Sequence, residues 1–137
     1  TAGLDPIVRD DVLDLLRRWM EPGDRSLLIS SHITSDLERI CDQIAIIDDG
    51  RMLLACDIDE IEGHMGVARL RSVELEEVLD GDRAWSGDGR ARVLRVGLSW
   101  TLLVDDRAAF VREHPGLVCD RATIDDVMTL LVKGEVR

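Results

Sequence analysis

The sequence predicts an α/β fold, and three observations carry that prediction. Amphipathic helical segments alternate with short apolar runs over residues 6–48. Asp49-Gly50 follows at once, a dipeptide that closes tight hairpins. A second series of short helix and strand signals, punctuated by Gly, Pro and Asp, fills residues 57–134. The first series reads as parallel strands plus a hairpin, flanked by helices. The second reads as a small α+β domain. The texture changes over residues 57–66, which divides the 137 residues into 1–56 and 57–137.

Each element has its own local reason. Asp5 is a good N-cap and Pro6 suits the first helical position. Ile7, Val8, Val12, Leu15, Leu16 and Trp19 then recur at helical spacing until Glu21-Pro22-Gly23-Asp24 stops the helix. Residues 26–30 (Ser-Leu-Leu-Ile-Ser) read as a short, fully buried strand. Thr34 or Ser35 caps the next helix, with Leu37, Ile40 and Cys41 facing inward. Residues 43–48 form a second apolar strand, and residues 51–55 return as its hairpin partner.

Beyond Cys56, residues 57–64 read as a short acidic helix, 67–73 as extended and 74–79 as helical. Residues 81–89, rich in Gly and Asp, read as a loop that leaves Trp85 exposed. Residues 92–96 and 100–104 pair across Gly97-Leu98-Ser99. Residues 106–113 form a helix ended by His114-Pro115-Gly116, and 117–119 a short strand. Thr123 caps a last helix carrying Ile124, Val127, Met128, Leu130 and Leu131, with Gly134 as its stop. Trp19 and Trp100 read as core.

Composition excludes several functions. The formal net charge is −11, from 28 acidic and 17 basic residues. That balance argues against nucleic acid and against anionic lipid as partners. No apolar run reaches the ~20 residues of a membrane span. Cys41, Cys56 and Cys119 are odd in number and widely spaced, which suits a reducing cytoplasm and small packed side chains rather than disulfides. With His64 they lack the paired short spacing of a zinc site. Asp57, Asp59 and Glu60 fail the spacing of a Ca²⁺ loop and read as helix-start carboxylates. The three Trp residues do not alternate with basic residues as a base-stacking surface would.

His32 is the residue whose position points to chemistry. It follows an apolar run and two serines and precedes a helix, and ligands of open α/β sheets bind beyond the carboxyl ends of strands. Taken alone, such a histidine reads as a surface or capping residue. Its surroundings change that. Residues 30–42 (Ser-Ser-His-Ile-Thr-Ser-Asp-Leu-Glu-Arg-Ile-Cys-Asp) resemble the switch-histidine loop of ABC transporter ATPase subunits. Residues 43–51 (Gln-Ile-Ala-Ile-Ile-Asp-Asp-Gly-Arg) resemble the strand and hairpin that follow this loop in the family. Thr1-Ala2-Gly3-Leu4-Asp5-Pro6 resembles the family's D-loop, at the family's spacing. Residues 122–135 resemble the tail of ATPase subunits from bacterial drug, lantibiotic and peptide exporters.

The resemblance implies the C-terminal part of a P-loop ATPase domain followed by an accessory domain. It implies that His32 donates a hydrogen bond to the γ-phosphate of ATP, and that Asp5 lies at a dimer interface near the opposite nucleotide. Asp5 can serve as N-cap at the same time. For a whole subunit it implies ATP and Mg²⁺, a second ATPase subunit, a multi-span permease, and a peripheral place on the cytoplasmic face of the membrane. The Gly-x-x-x-x-Gly-Lys-Ser/Thr phosphate loop does not occur in this sequence, and its single Lys, Lys133, sits in another context. The family's Leu-Ser-Gly-Gly-Gln signature and acidic strand end do not occur either. The chain is therefore expected neither to bind nor to hydrolyse ATP alone, and, with strands lacking neighbours, to self-associate in solution. The rival readings are a non-catalytic regulatory module and an ABC ATPase that serves no transporter.

Overall fold

The computed structural model describes residues 3–81 and 90–137. Its backbone forms two compact units, one ending at Asp42 and the other Gln43–Arg137.

The first unit holds α1 (Pro6–Met20) and α2 (Thr34–Ile40). Residues 26–30, expected as a buried strand, make no ladder, and Leu28 is 99% exposed. A strand buried on both faces needs neighbours that take its N–H and C=O groups. Among the described residues none does so for this segment. The expected parallel pairing is accordingly not formed, and every strand pair described is antiparallel.

The second unit opens with the expected hairpin of β1 (Gln43–Asp48) and β2 (Arg51–Asp57). Asp49 and Gly50 both adopt positive φ, 47° and 71°, as a two-residue turn between strands requires. Ile44 and Ile46 face inward while Ala45 and Ile47 face out. A register shift between Ile46 and Ile47 bends the ladder. The acidic helix α3 (Ile58–His64) follows, with Asp59 and Glu60 in its first turn as expected of helix-start carboxylates.

The remaining strands build one five-stranded sheet. They are β3 (Gly66–Leu70), β4 (Arg92–Val96), β5 (Ser99–Val104), β6 (Val118–Arg121) and β7 (Glu135–Val136), in the order β6-β3-β5-β4-β7. Helices α4 (Ser72–Leu79) and α5 (Arg107–Glu113) connect β3 to β4 and β5 to β6. The β-α-β-β-α-β run from β3 to β6, with its ends at the inner and outer positions of one side, is the ferredoxin-like split arrangement. The final helix α6 (Ile124–Lys133) leads into β7, which adds to the edge of β4.

Alternation along the strands assigns the faces. Ala68, Leu70, Leu102, Val104, Val93 and Cys119 share one face, and α4 and α5 cover it with Leu75, Val78 and Phe110. Val67 and Leu103 point to the opposite face, where α3 and α6 supply buried Ile58, Ile61, Ile124, Val127 and Leu130. Both faces of the sheet are therefore closed over Gly66–Ala68 and Leu102–Val104, while Arg69 and Ser99 remain exposed. Trp100 is half-buried at the margin of the first cluster, donating its indole N–H to Ser72 Oγ at 3.3 Å under the Arg137 guanidinium.

Local signals explain the helix ends. Thr123 Oγ1 accepts from Asp126 N–H and Asp126 Oδ2 accepts from Thr123 N–H, a reciprocal cap at 3.1 and 3.0 Å. Asp106 caps α5 through Ala109 N–H at 3.0 Å. Glu74 in α4 accepts from the Arg71 N–H and guanidinium, and that guanidinium hydrogen bond holds its carboxyl below the ordinary range.

Gly66 is required by close approach. A Cβ there would sit 2.8 Å from Cys119 Sγ and 3.0 Å from Arg107 Cβ, where the Arg107 stem crosses β3 to donate to the Cys119 carbonyl at 2.9 Å. Gly66→Ala is expected to destabilise this unit by ~1–3 kcal/mol. Urea unfolding followed by far-UV circular dichroism measures it, and an unchanged midpoint contradicts the packing account.

Candidate functional site

Asp5 and His32 each precede a helix of the first unit. Asp5 is the N-cap of α1, its Oδ1 accepting the Ile7 N–H at 2.9 Å, with Pro6 at the first helical position as the sequence predicts. His32 is exposed, between Ser31 and Ile33. The cap of α2 differs from expectation. Thr34 is the first helical residue, Ile33 is the N-cap, and no side chain caps it. Ser31 Oγ instead accepts the Ile33 N–H at 3.0 Å, turning the chain into the helix immediately beside His32.

Four contacts fix the direction in which the helices lie against each other. Arg9 Nε stands 3.5 Å from Asp36 Oδ1, at the start of both helices. Arg39 of α2 pairs with Asp10 and, at 3.7 Å, with Asp14 further along α1. Arg17 then donates to the Arg39 carbonyl at 3.5 Å. Partners advance together along both helices, so the helices run parallel. Asp5 and His32, each ahead of its helix, stand at the same end of the pair.

The apolar stripe of α1 differs from expectation. Leu13 is its buried residue, whereas Ile7 is 74%, Leu15 63% and Trp19 45% exposed. Trp19 is thus not core. Its carbonyl accepts from Arg25 Nη1 at 2.9 Å, and the Arg25 guanidinium lies 5.1 Å from its ring centroid. Trp85 and the rest of residues 82–89, most of the expected 81–89 loop, lie outside the described residues, as do Thr1 and Ala2.

The second unit contains an open cleft of about 360 Å³ lined by Leu54, Cys56, Glu60, His64, Met65 and Asp105, which sequence reasoning missed because its residues come from three separate segments. Burial pushes the Cys56 thiol up, helped by Glu60 and Asp57, which disfavours the thiolate. Cys41 and Cys119 are raised by burial as well. Among the described residues no three His, Cys, Asp or Glu side chains are placed to hold a metal ion. His114 ends α5 as a turn residue, its ring 4.8 Å from that of Phe110. No helix among the described residues is long and apolar enough to cross a membrane.

Comparison with known proteins supplies a family context for the chain. The chain is 37% identical over 62 residues to the ABC transporter ATP-binding protein YtrB of Bacillus subtilis (strain 168). The chain is related to the ABC transporter ATP-binding proteins. That match covers 45% of this chain and 21% of the relative. The daunorubicin/doxorubicin resistance ATP-binding protein DrrA of Streptomyces peucetius is 30% identical over 90 residues, 64% of this chain and 27% of that protein. The thiamine import ATP-binding protein ThiQ of a Jannaschia species is 32% identical over 59 residues, 43% of this chain and 26% of that protein. The chain thus spans about a quarter of the length of these curated relatives. No family model matches it.

Proposed function

We propose that this chain is part of the ATP-hydrolysing subunit of an ABC transporter, in which His32 meets the γ-phosphate of ATP and Asp5 faces a second subunit. The observation that carries the reading is the parallel alignment of α1 and α2, with the D-loop-like and switch-histidine-like segments at one end. His32 is exposed there, and an imidazole N–H can donate to a phosphate oxygen as charge develops on it. Asp5 keeps its capping bond while remaining exposed. The cradle for the other phosphates and the Mg²⁺ ligands comes from residues outside this chain.

The relation to ATP-binding proteins supports ATP as the ligand of the whole subunit, and with it a homodimer and a multi-span permease at the cytoplasmic face of the membrane. Relatives include an importer component and a resistance protein, so direction rests on the tail. The likeness of residues 122–135 to exporter subunits favours outward transport. Residues 1–56 are assigned to the ATPase domain and residues 57–137 to an accessory module.

Titrating Mg-ATP into this chain alone is expected to give no binding heat, because one exposed imidazole holds no triphosphate. Micromolar binding would overturn the division of labour proposed here.

A further inference from the structure

We propose that Ser31 is a positioning residue for His32, its hydroxyl holding the turn from which the imidazole is presented to the γ-phosphate. The inference rests on the role proposed above for His32. Ser31 Oγ accepts the Ile33 N–H at 3.0 Å in a part-buried contact. That hydrogen bond closes a ring that runs through both peptide bonds of His32. It therefore restrains φ and ψ of His32, the two soft backbone angles that aim its side chain.

Among the described residues the His32 imidazole makes no hydrogen bond, ion pair or ring contact, and it is exposed. The reach of its ring is thus set by its backbone and its own side-chain angles. Helix α2 adds no side-chain cap, because its N-cap is Ile33. The Ser31 hydroxyl supplies the turn from two residues ahead of that position. Asp5 shows the same device in the other motif segment, its Oδ1 accepting the N–H two residues on, at 2.9 Å. There the candidate residue makes its own turn. At His32 the preceding residue makes it, which keeps both imidazole nitrogens available to a phosphate. Without the hydroxyl the His32 backbone samples more of φ/ψ space, and a smaller share of molecules holds the ring in place. Ser31 is assigned no contact with nucleotide and acts through His32.

The test is steady-state ATPase kinetics on the complete ATP-binding protein that contains this chain, each variant assayed below its circular-dichroism melting transition. Ser31→Ala is expected to lower kcat about threefold to tenfold, the population shift for losing one hydrogen bond of ordinary net strength. KM for ATP is expected to stay within about twofold of wild type. Ser31→Thr keeps the oxygen, whereas Ser31→Val has the same branched shape without it. Threonine is expected to restore kcat and valine to fall with alanine, a contrast that decides the matter if the alanine variant unfolds. Added to His32→Ala, Ser31→Ala is expected to cause no further loss, because the imidazole it acts through is gone. A further loss of about threefold or more in that background overturns the proposal. So do wild-type kcat in folded Ser31→Ala, equal turnover with threonine and valine, and a loss carried by KM. Full turnover in His32→Ala overturns the underlying reading of His32 instead.

Discussion

Replacing His32 by alanine in the complete subunit is expected to lower ATP turnover by ~10²–10³-fold, the range for removing one preorganised donor from developing negative charge. The loss should fall on kcat rather than KM. The proposal assigns the bulk of ATP binding to residues outside this chain and has the His32 bond strengthen as the γ-phosphoryl group transfers. The exposed position of His32 makes the substitution cheap for folding, since no packed contact is removed. Turnover measured with a coupled phosphate-release assay, beside an unchanged melting curve, separates lost chemistry from lost structure. Wild-type kcat in the folded variant contradicts the assignment.

The second large effect is on stability. Phe110 is 2% exposed and is the largest side chain of the cluster between α4, α5 and the sheet. Phe110→Ala removes its ring from beneath α5 and leaves a cavity beside Val104, Cys119 and the His114 ring, at an expected cost of ~3–5 kcal/mol. Set against a total of ~5–15 kcal/mol for a domain, that is enough to unfold much of the Gln43–Arg137 unit at 37 °C. Leu98 offers the contrast. It is 89% exposed at the tip of the β4–β5 hairpin, and Leu98→Ala is expected to change stability by under ~0.5 kcal/mol. Urea unfolding of both variants checks the ranking, and equal midpoints contradict the core assignment.

The difference between these residues marks what a sequence can and cannot disclose. The starts of α1 and α6 were legible because Asp5-Pro6 and Thr123-x-x-Asp126 are local signals satisfied within four residues. The Asp49-Gly50 and Gly97-Leu98 turns were legible for the same reason. The strand order β6-β3-β5-β4-β7 was not, because β3 pairs with β5 and β6 across thirty positions or more and nothing local specifies the partner. The strand β7 went unread because two residues carry no period. Residues 26–30 have the apolar content of a buried strand but no ladder among the described residues, and ladder bonds are a property of neighbours. The stripe of α1 misled in the same way. Helical spacing identified Ile7, Leu15 and Trp19 as one apolar set, and their burial depends on what stands opposite.

At the site, the motif segments around Asp5 and His32 were legible as a resemblance. The contact of Arg9 with Asp36 was not, because an Arg and an Asp 27 positions apart look like any surface charges until the helices are seen side by side.

The central claim is that His32 senses the γ-phosphate. Histidine-¹⁵N-labelled complete protein, with a His32→Gln variant to assign the signal, tests it directly by NMR. Addition of Mg²⁺ with a non-hydrolysable ATP analogue is expected to shift the His32 ring resonances, and Mg-ADP at saturation is expected to leave them in place. Identical His32 responses to the two nucleotides, or none to either while both bind, would contradict the account.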